Sequence, residues 1–180
     1  MRKIKVILMS VFLALFIAGC SSGTSAEFFE SGSQISGKTE QSDSGMEVHF
    51  LDVGQGDATL IKAGDHAMLI DAGDNSEGTA VQSYLNSQGI EKLDYVIGTH
   101  PDADHIGGLV VYKFNCKKVF MPGVTSDTKT YDDVMQALKS KNQKAQAPKP
   151  GETYTLGDAS FTVIAPVKGY GDETNNWSIG

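Results

Sequence analysis

Two histidines and two aspartates fall within six positions of this chain, and they constrain its fold more than any other feature. The run comes directly after the apolar segment 93–98 and just before a pair of glycines at 107 and 108. Its imidazole and carboxylate residues are His100, Asp102, Asp104 and His105. Imidazole nitrogen and carboxylate oxygen are ligands that zinc, manganese and iron accept. Because α/β folds place their chemistry at strand ends, the run predicts a metal site after a buried strand.

The spacing within the run indicates two adjacent metal ions. In an extended segment or turn, residues two apart point to one side, which groups His100 with Asp102. His105 follows Asp104 immediately and must project differently, so these two residues would serve a second ion. The alternative is a polar turn in which Asp102 or Asp104 caps the next helix. Capping explains one aspartate and neither histidine.

Two further aspartates follow apparent strand or turn segments. Asp71 ends the apolar stretch 69–71 and precedes Ala72-Gly73, a position from which it would orient a ligand histidine. The alternative for Asp71 is a turn or helix-capping residue. Asp57 closes the turn 54–57, which resembles a glycine-rich phosphate loop only loosely because no Lys-Ser or Lys-Thr follows. We assign Asp57, with Asp71, to the residues that support the metal ligands.

The hydrophobic pattern after residue 45 is mixed. It opens with alternating, β-branched segments separated by glycine turns and then shows helical spacing. The expected strands are 46–53, 58–62, 66–70, 93–98 and 118–121, with a closing hairpin at 154–156 and 161–164. The expected helices are 79–87, 104–112 and 131–141. A meander followed by β-α-β-α predicts an α/β domain over residues 46–180, with helices on one face of a sheet.

The composition of the first 45 residues predicts a targeting segment followed by a spacer. Residues 1–19 carry a basic start and a short apolar run, which together predict a signal peptide. The small residues before Cys20 resemble a bacterial lipobox, so Cys20 is expected to be acylated and to hold the chain on the extracytoplasmic face of the cell membrane. The alternative is an uncleaved anchor helix, although the apolar run is short for a membrane span. Residues 20–45 are polar and predict a flexible tether.

The charge of the chain limits which binding partners are expected, and its cysteine content limits which disulfide bonds are expected. The chain has 15 basic and 22 acidic residues, and the signal holds three of the basic ones, so the remainder carries 12 minus 22, or −10. An acidic surface repels phosphate backbones, so no stable nucleic-acid binding is expected, although a substrate held at a metal remains compatible. With Cys20 acylated, no internal disulfide is expected, and Cys116 is expected to pack as a small hydrophobe.

These motifs carry a family resemblance. The pattern Thr-His-x-x-x-Asp-His-x-Gly-Gly at 99–108, preceded by Leu-Ile-Asp-Ala-Gly at 69–73, resembles the signature pair of the metallo-β-lactamase fold. The segments 51–58 and 175–179 narrow the resemblance to the ComEC-type group, which includes the hydrolase domain of DNA-uptake competence proteins and exported relatives. The resemblance implies an αββα sandwich, of which this chain is expected to hold most of the first half and little of the second.

The resemblance also implies a ligand set. The family's run has histidine at its first, third and last ligand positions and aspartate before the last, so His100, Asp104 and His105 match. Asp102 departs from the commoner histidine, an aspartate variant that also occurs in the ComEC-type group, and it leaves zinc or manganese open. A full family site holds two ions. Its further ligands lie beyond the Asn-Ser segment, and no histidine follows His105 in this sequence.

The leading hypothesis is therefore a membrane-anchored, extracytoplasmic metallohydrolase of the ComEC type. It would cleave a phosphodiester or related bond, in nucleic acid or another substrate, through a metal-activated water that Asp104 orients. The alternative is a non-catalytic remnant or binding module with an incomplete metal site and an exposed apolar face. A surface adhesion or solute-binding lipoprotein fits the N-terminus but leaves the histidine-aspartate run unexplained.

Overall fold

The computed structural model of this protein describes residues 45–111, 115–167, 171 and 173–180. The expected signal peptide, Cys20 and the tether up to residue 44 lie outside the described residues. Among the described residues, no helix is long and apolar enough to cross a membrane.

Six strands form the main sheet in their order along the chain. They are β1 (Met46–Phe50), β2 (Thr59–Ala63), β3 (His66–Ile70), β4 (Lys92–Ile97), β5 (Asn115–Phe120) and β6 (Ala145–Gln146). The first three pair antiparallel, and β3 to β6 pair parallel. A separate antiparallel hairpin consists of β7 (Thr153–Leu156) and β8 (Ala159–Thr162).

Helical segments make the crossovers that parallel strands require. α1 (Gly78–Ser87) joins β3 to β4, and α3 (Lys129–Ser140) joins β5 to β6. Between β4 and β5 the chain forms α2 (Ala103–Ile106) and a 3-10 segment (Gly107–Val111). Given the pairing directions of the strands, every strand of the main sheet except β2 begins at the same edge, which we call the N-terminal edge. Residues directly after β3 and β4 lie at the opposite, C-terminal edge.

The two faces of the sheet bury different partners. On the helix side, Leu69, Val96 and Val119 pack against side chains of α1 and α3 such as Leu85 and Val134. On the other side, apolar strand residues pack against the hairpin. The rings of Tyr95 and Phe120 lie 5.6 Å apart there, and Tyr154 of the hairpin lies 4.8 Å from Phe120. The expected mixed α/β sheet with helices on one face is confirmed.

The secondary structure differs from expectation in several places. β5 begins at Asn115 rather than residue 118, and β8 spans Ala159–Thr162 rather than 161–164. β1 ends at Phe50 rather than residue 53 because the chain turns there, and Leu51 N donates to Ala58 O over 2.9 Å. The expected helix 104–112 is α2 followed by the 3-10 segment. A Cβ at Gly107 or Gly108 would lie 2.5 Å or less from the loop after β3, so this stretch must pack tightly. β6 was not foreseen because two residues show no periodicity.

A carboxylate buried in β4 ties the N-terminal edge together. Asp94 accepts hydrogen bonds from His66 Nδ1 at 3.0 Å and from the Ala67 backbone N–H at 3.2 Å, and it also pairs with Lys117. Burial acts to raise the pKa of Asp94, but these donors together hold the pKa below its ordinary value. The ionised form is therefore the one that stabilises the fold.

We expect Asp94→Asn to lower the free energy of unfolding by about 2 kcal/mol at pH 7, because charge-assisted bonds are lost. Because folding lowers the pKa of Asp94, its contribution is complete above the unfolded pKa and is lost as pH falls through the folded pKa. Urea unfolding at pH 7 and near pH 3 measures the difference, with Asp65→Asn on the exposed β2–β3 turn as control. A deficit that stays constant with pH would contradict this role.

Candidate metal centre

Asp71, which directly follows β3, is the central residue of the C-terminal edge. Its backbone has a positive φ of 55°, which is uncommon for a residue other than glycine, and the residue is only 2% exposed. The Asp71 backbone N–H donates to Ile97 O at 2.8 Å, so the strand pairing of β3 and β4 holds the turn. A buried carboxylate in a strained conformation is expected only where its bonding partners compensate.

Three donors satisfy the Asp71 carboxylate. Oδ1 accepts the Thr99 backbone N–H at 2.8 Å, and Oδ2 accepts the Thr99 hydroxyl at 2.6 Å. Oδ2 also accepts Nδ1–H of His105 at 2.9 Å. A proton held on Nδ1 leaves the lone pair of His105 on Nε2, the arrangement in which a carboxylate orients a metal-binding imidazole.

Thr99 orients the second histidine, His100, by a hydrogen bond of its own. Its hydroxyl proton is directed to Asp71, so Thr99 Oγ1 is left to accept from Nδ1 of His100, 3.0 Å away. His100 therefore also presents its lone pair on Nε2. The two imidazole rings lie 4.0 Å apart between centroids. The sequence alone does not predict a role for Thr99, because its only signal is a hydroxyl between the end of β4 and His100.

The electrostatics of the two histidines differ. Burial lowers the pKa of His100, and the neighbouring His105 lowers it further, so His100 is neutral at pH 7, as a metal ligand must be. The hydrogen bond from Asp71 raises the pKa of His105, against the opposing effect of burial. The same carboxylate that orients His105 therefore also makes its imidazole more basic.

The two aspartates of the run lie beside the histidines. Asp102 Oδ2 is 3.8 Å from His100 Nε2, and its Oδ1 accepts the Thr174 hydroxyl at 2.9 Å. Asp102 precedes α2, but its side chain makes no capping hydrogen bond, so the capping alternative for this residue is wrong. Asp104 Oδ2 accepts from Gln55 Nε2 at 3.3 Å. Gln55 and Thr174 are contacts that sequence spacing could not reveal, because they come from distant parts of the chain.

Asp57 contributes mainly through its backbone. Its carbonyl accepts the Gly73 N–H at 2.9 Å, which joins the β1–β2 turn to the loop after β3. Its side chain is 76% exposed, and Oδ2 lies 3.9 Å from His105 Nδ1, beyond hydrogen-bonding distance. Asp71, rather than Asp57, is the carboxylate that bonds His105.

Glycines let these loops approach one another. Gly56 has a φ of +98°, and a Cβ built there would lie 1.8 Å from the carbonyl oxygen of Asp104. A Cβ at Gly108 would lie 2.0 Å from the carbonyl oxygen of Ala72. The loop after β3, the β1–β2 turn and α2 are therefore in backbone contact around the candidate site.

The donor set fits a divalent metal in its chemistry. Two imidazoles that each present Nε2, with carboxylates beside them, are ligands for zinc or manganese. Among the described residues, no three or more His, Cys, Asp or Glu side chains are already grouped as a metal cage. The structure thus brings together His100, Asp102 and His105, with Asp71 behind them and Asp104 held by the β1–β2 turn.

Comparison with known proteins decides the family. Residues 51–164 match the family described as the Metallo-beta-lactamase superfamily. The chain belongs to the metallo-beta-lactamase superfamily. This match contains Asp71 and the whole run from His100 to His105, the two motifs on which the resemblance was based.

One curated relative points to a narrower group within the superfamily. The chain is 29% identical over 154 residues to ComE operon protein 3 of Bacillus subtilis (strain 168), an alignment that covers 74% of this chain and 20% of that protein. The chain thus spans about a fifth of the length of this relative. The comparison supports the expected ComEC-type resemblance.

Solved structures share the superfamily fold. The metallo-beta-lactamase SMB-1 bound to 2-mercaptoethanesulfonate has a TM-score of 0.50 at 17% identity, over 66% of this chain and 50% of that chain. A metallo-beta-lactamase of Cronobacter sakazakii has a TM-score of 0.49 at 14% identity, over 65% of this chain and 49% of that one. The chain spans about half the length of these structures.

Proposed function

We propose that this member of the metallo-beta-lactamase superfamily is a metal-dependent hydrolase that binds zinc or manganese, as two ions in a complete site. The observation that carries the proposal is the Asp71 network, which fixes both His100 and His105 with Nε2 available. A bound divalent ion supplies Lewis acidity and lowers the pKa of bound water. The superfamily relationship supports hydrolysis as the reaction class.

The metal-binding residues between His100 and His105 would have different roles. His100 and Asp102 would hold one ion, and Asp104 and His105 the other. Asp104 is also proposed as the catalytic group that orients the attacking water, because Gln55 occupies only one of its carboxylate oxygens. Asp71 would act through His105 and Thr99, without contact with substrate. Asp57 would support the loop through its backbone.

A phosphodiester is the proposed substrate, in nucleic acid or another molecule. The likeness to ComE operon protein 3 supports this substrate class, and two metal ions suit an in-line displacement at phosphorus. The overall acidic charge argues against stable nucleic-acid binding away from the metals. We further propose that acylated Cys20 anchors the chain in membrane lipid on the extracytoplasmic face.

We expect His105→Ala to weaken zinc binding by at least tenfold, because the imidazole oriented by Asp71 is lost. Calorimetric titration of the metal-free chain with zinc and with manganese measures the affinity. His49→Ala is the matched control, since His49 bonds Tyr84 and Glu47 on β1 and has no part in the site. Full metal occupancy retained in His105→Ala would refute the assignment of this residue.

Catalysis is tested on the same protein with a generic phosphodiester such as bis(p-nitrophenyl) phosphate. Turnover should require added metal, stop on chelation and fail in His105→Ala.

The second candidate function is a non-catalytic binding module. It is favoured by three apolar side chains on one side of β1, with Met46 61%, Val48 42% and Phe50 84% exposed. Robust metal-dependent turnover by this chain would exclude that second function.

A further inference from the structure

Charge is unevenly distributed along this acidic chain. Residues 115–149 contain seven lysines against three acidic residues, although the chain as a whole has a formal charge of −7. The three acidic residues, Asp127, Asp132 and Asp133, lie just before α3 or in its first half. Residues 115–149 therefore carry a local excess of positive charge.

The topology brings several of these lysines to the N-terminal edge. Lys92 opens β4, and Lys144 directly precedes β6. α3 runs back between β5 and β6, so Lys139 near its end reaches the same edge. These three residues, Lys92, Lys139 and Lys144, are exposed, and we call them the lysine edge.

Local structural roles account for only part of the lysine edge. Lys139 in the last turn of α3 complements the helix dipole. Lys118, the fourth of six residues in β5, lies 5.3 Å from the centroid of the Tyr154 ring and is not counted in the lysine edge. The nearby Lys117 pairs with the buried Asp94 and is left out of the lysine edge for that reason. Among the residues that the structure describes, no carboxylate lies within ion-pair distance of Lys92 or Lys144. Their charges face solvent.

An apolar groove adjoins two of these lysines. It has a volume of about 610 Å³, and Met135, Leu138 and Ala145 form its apolar part. Lys139 and Lys144 stand at its rim. Apolar surface bordered by lysine is the combination that binds a membrane interface, where the charge meets anionic headgroups and the apolar part meets the acyl boundary.

The chain enters the domain at this same edge. β1 is antiparallel to β2, and β2 is antiparallel to β3, so Met46 begins β1 at the edge where β4 to β6 also begin. The first residue of β1 therefore lies on the lysine side of the domain. The candidate metal centre follows β3 and β4, at the opposite edge.

We propose that the lysine edge docks on anionic lipid headgroups of the membrane and that the metal centre points away from that membrane. The orientation rests on the proposed acylation of Cys20. A nucleic-acid ligand is less favoured because β4, six residues long, spans about 20 Å. A phosphodiester held at the lysine edge would thus lie out of reach of His100 and His105.

The test uses the full chain carrying Cys20→Ser, so that acylation does not contribute. Its partitioning is measured by sedimentation with phosphatidylcholine vesicles, with and without about one third phosphatidylglycerol. We expect stronger partitioning onto the anionic vesicles, and roughly a fivefold loss for Lys144→Gln. Lys129→Gln removes the same charge at the far end of α3 and should change partitioning by less than twofold. The N-terminal apolar segment is common to all variants, so their ratios isolate the lysines.

Orientation is measured separately, with a fluorophore on Lys144→Cys or on Lys129→Cys and a quencher on the lipid headgroups. Quenching should be several-fold greater at position 144. Equal quenching at both positions, equal partitioning onto neutral and anionic vesicles, or binding of a single-stranded oligonucleotide in place of vesicles would each overturn the proposal. Metal titration and phosphodiester hydrolysis of the same samples test the proposed function independently, so the two failures are distinguishable.

Discussion

Replacing Asp71 with asparagine is expected to weaken metal binding by about 30-fold, within the range for residues that orient metal ligands. Asparagine keeps the shape and tolerates the positive φ of this position. It offers only one acceptor oxygen where the carboxylate satisfies three donors from Thr99 and His105. The Nδ1 proton of His105 then loses its fixed partner, and so does the hydroxyl that positions His100.

Three readouts check this prediction. Zinc titration reports affinity, long-range proton–nitrogen NMR reports the tautomer of His105, and urea unfolding reports stability. The free energy of unfolding should fall by about 2 kcal/mol, because a buried donor is left without its acceptor. Asp65→Asn makes the same charge change on an exposed turn at the opposite edge and should leave all three unchanged. An unchanged tautomer in Asp71→Asn would refute the orienting role.

Replacing Gly56 with alanine is expected to lower the free energy of unfolding by about 3 kcal/mol. The φ of +98° is unfavourable for any residue with a Cβ, and that Cβ would lie 1.8 Å from the carbonyl oxygen of Asp104. The backbone of α2 must therefore move away from the β1–β2 turn. Because Asp104 precedes His105, metal binding should weaken together with stability.

Gly54→Ala is the matched control for this substitution. Gly54 lies in the same turn with a φ of +66°, but a Cβ there would meet no atom within 4 Å. We expect a cost of about 1 kcal/mol from backbone strain alone and no change in metal affinity. Equal destabilisation by Gly54→Ala and Gly56→Ala, measured by urea unfolding, would show that contact with Asp104 is unimportant.

The substitutions Asp71→Asn and Gly56→Ala test different features of the candidate metal centre. Asp71 controls the histidines through hydrogen bonds, whereas Gly56 allows the β1–β2 turn to reach the backbone of Asp104. The exposed apolar side of β1 is a separate surface, which the metal site does not explain. A hydrolase and a binding module remain distinguishable by turnover, since only the first requires the Asp71 network.

Local sequence patterns were sufficient for most elements. The apolar run after the Gly64-Asp65 turn predicted β3 at its observed bounds, His66–Ile70, and the helical spacing around Leu85 predicted α1 within one residue. Both segments are next to a glycine turn, and the helical segment is long enough to show a period. The pattern failed at Ala145–Gln146, where pairing with β5 alone makes a strand, and at Gly107–Val111, where close packing tightens the helix to a 3-10 segment.

The sequence by itself determined the family and the residue types of the metal centre, because the motifs around Asp71 and His100–His105 are contiguous and chemically specific. Only the tertiary structure decided that Asp71 reaches His105 directly and His100 through Thr99, and that Gln55 and Thr174 bond the neighbouring aspartates. These bonds join residues from separate elements at one edge of the sheet. Spacing along the chain carries no information about such contacts, because they depend on strand order and crossover direction.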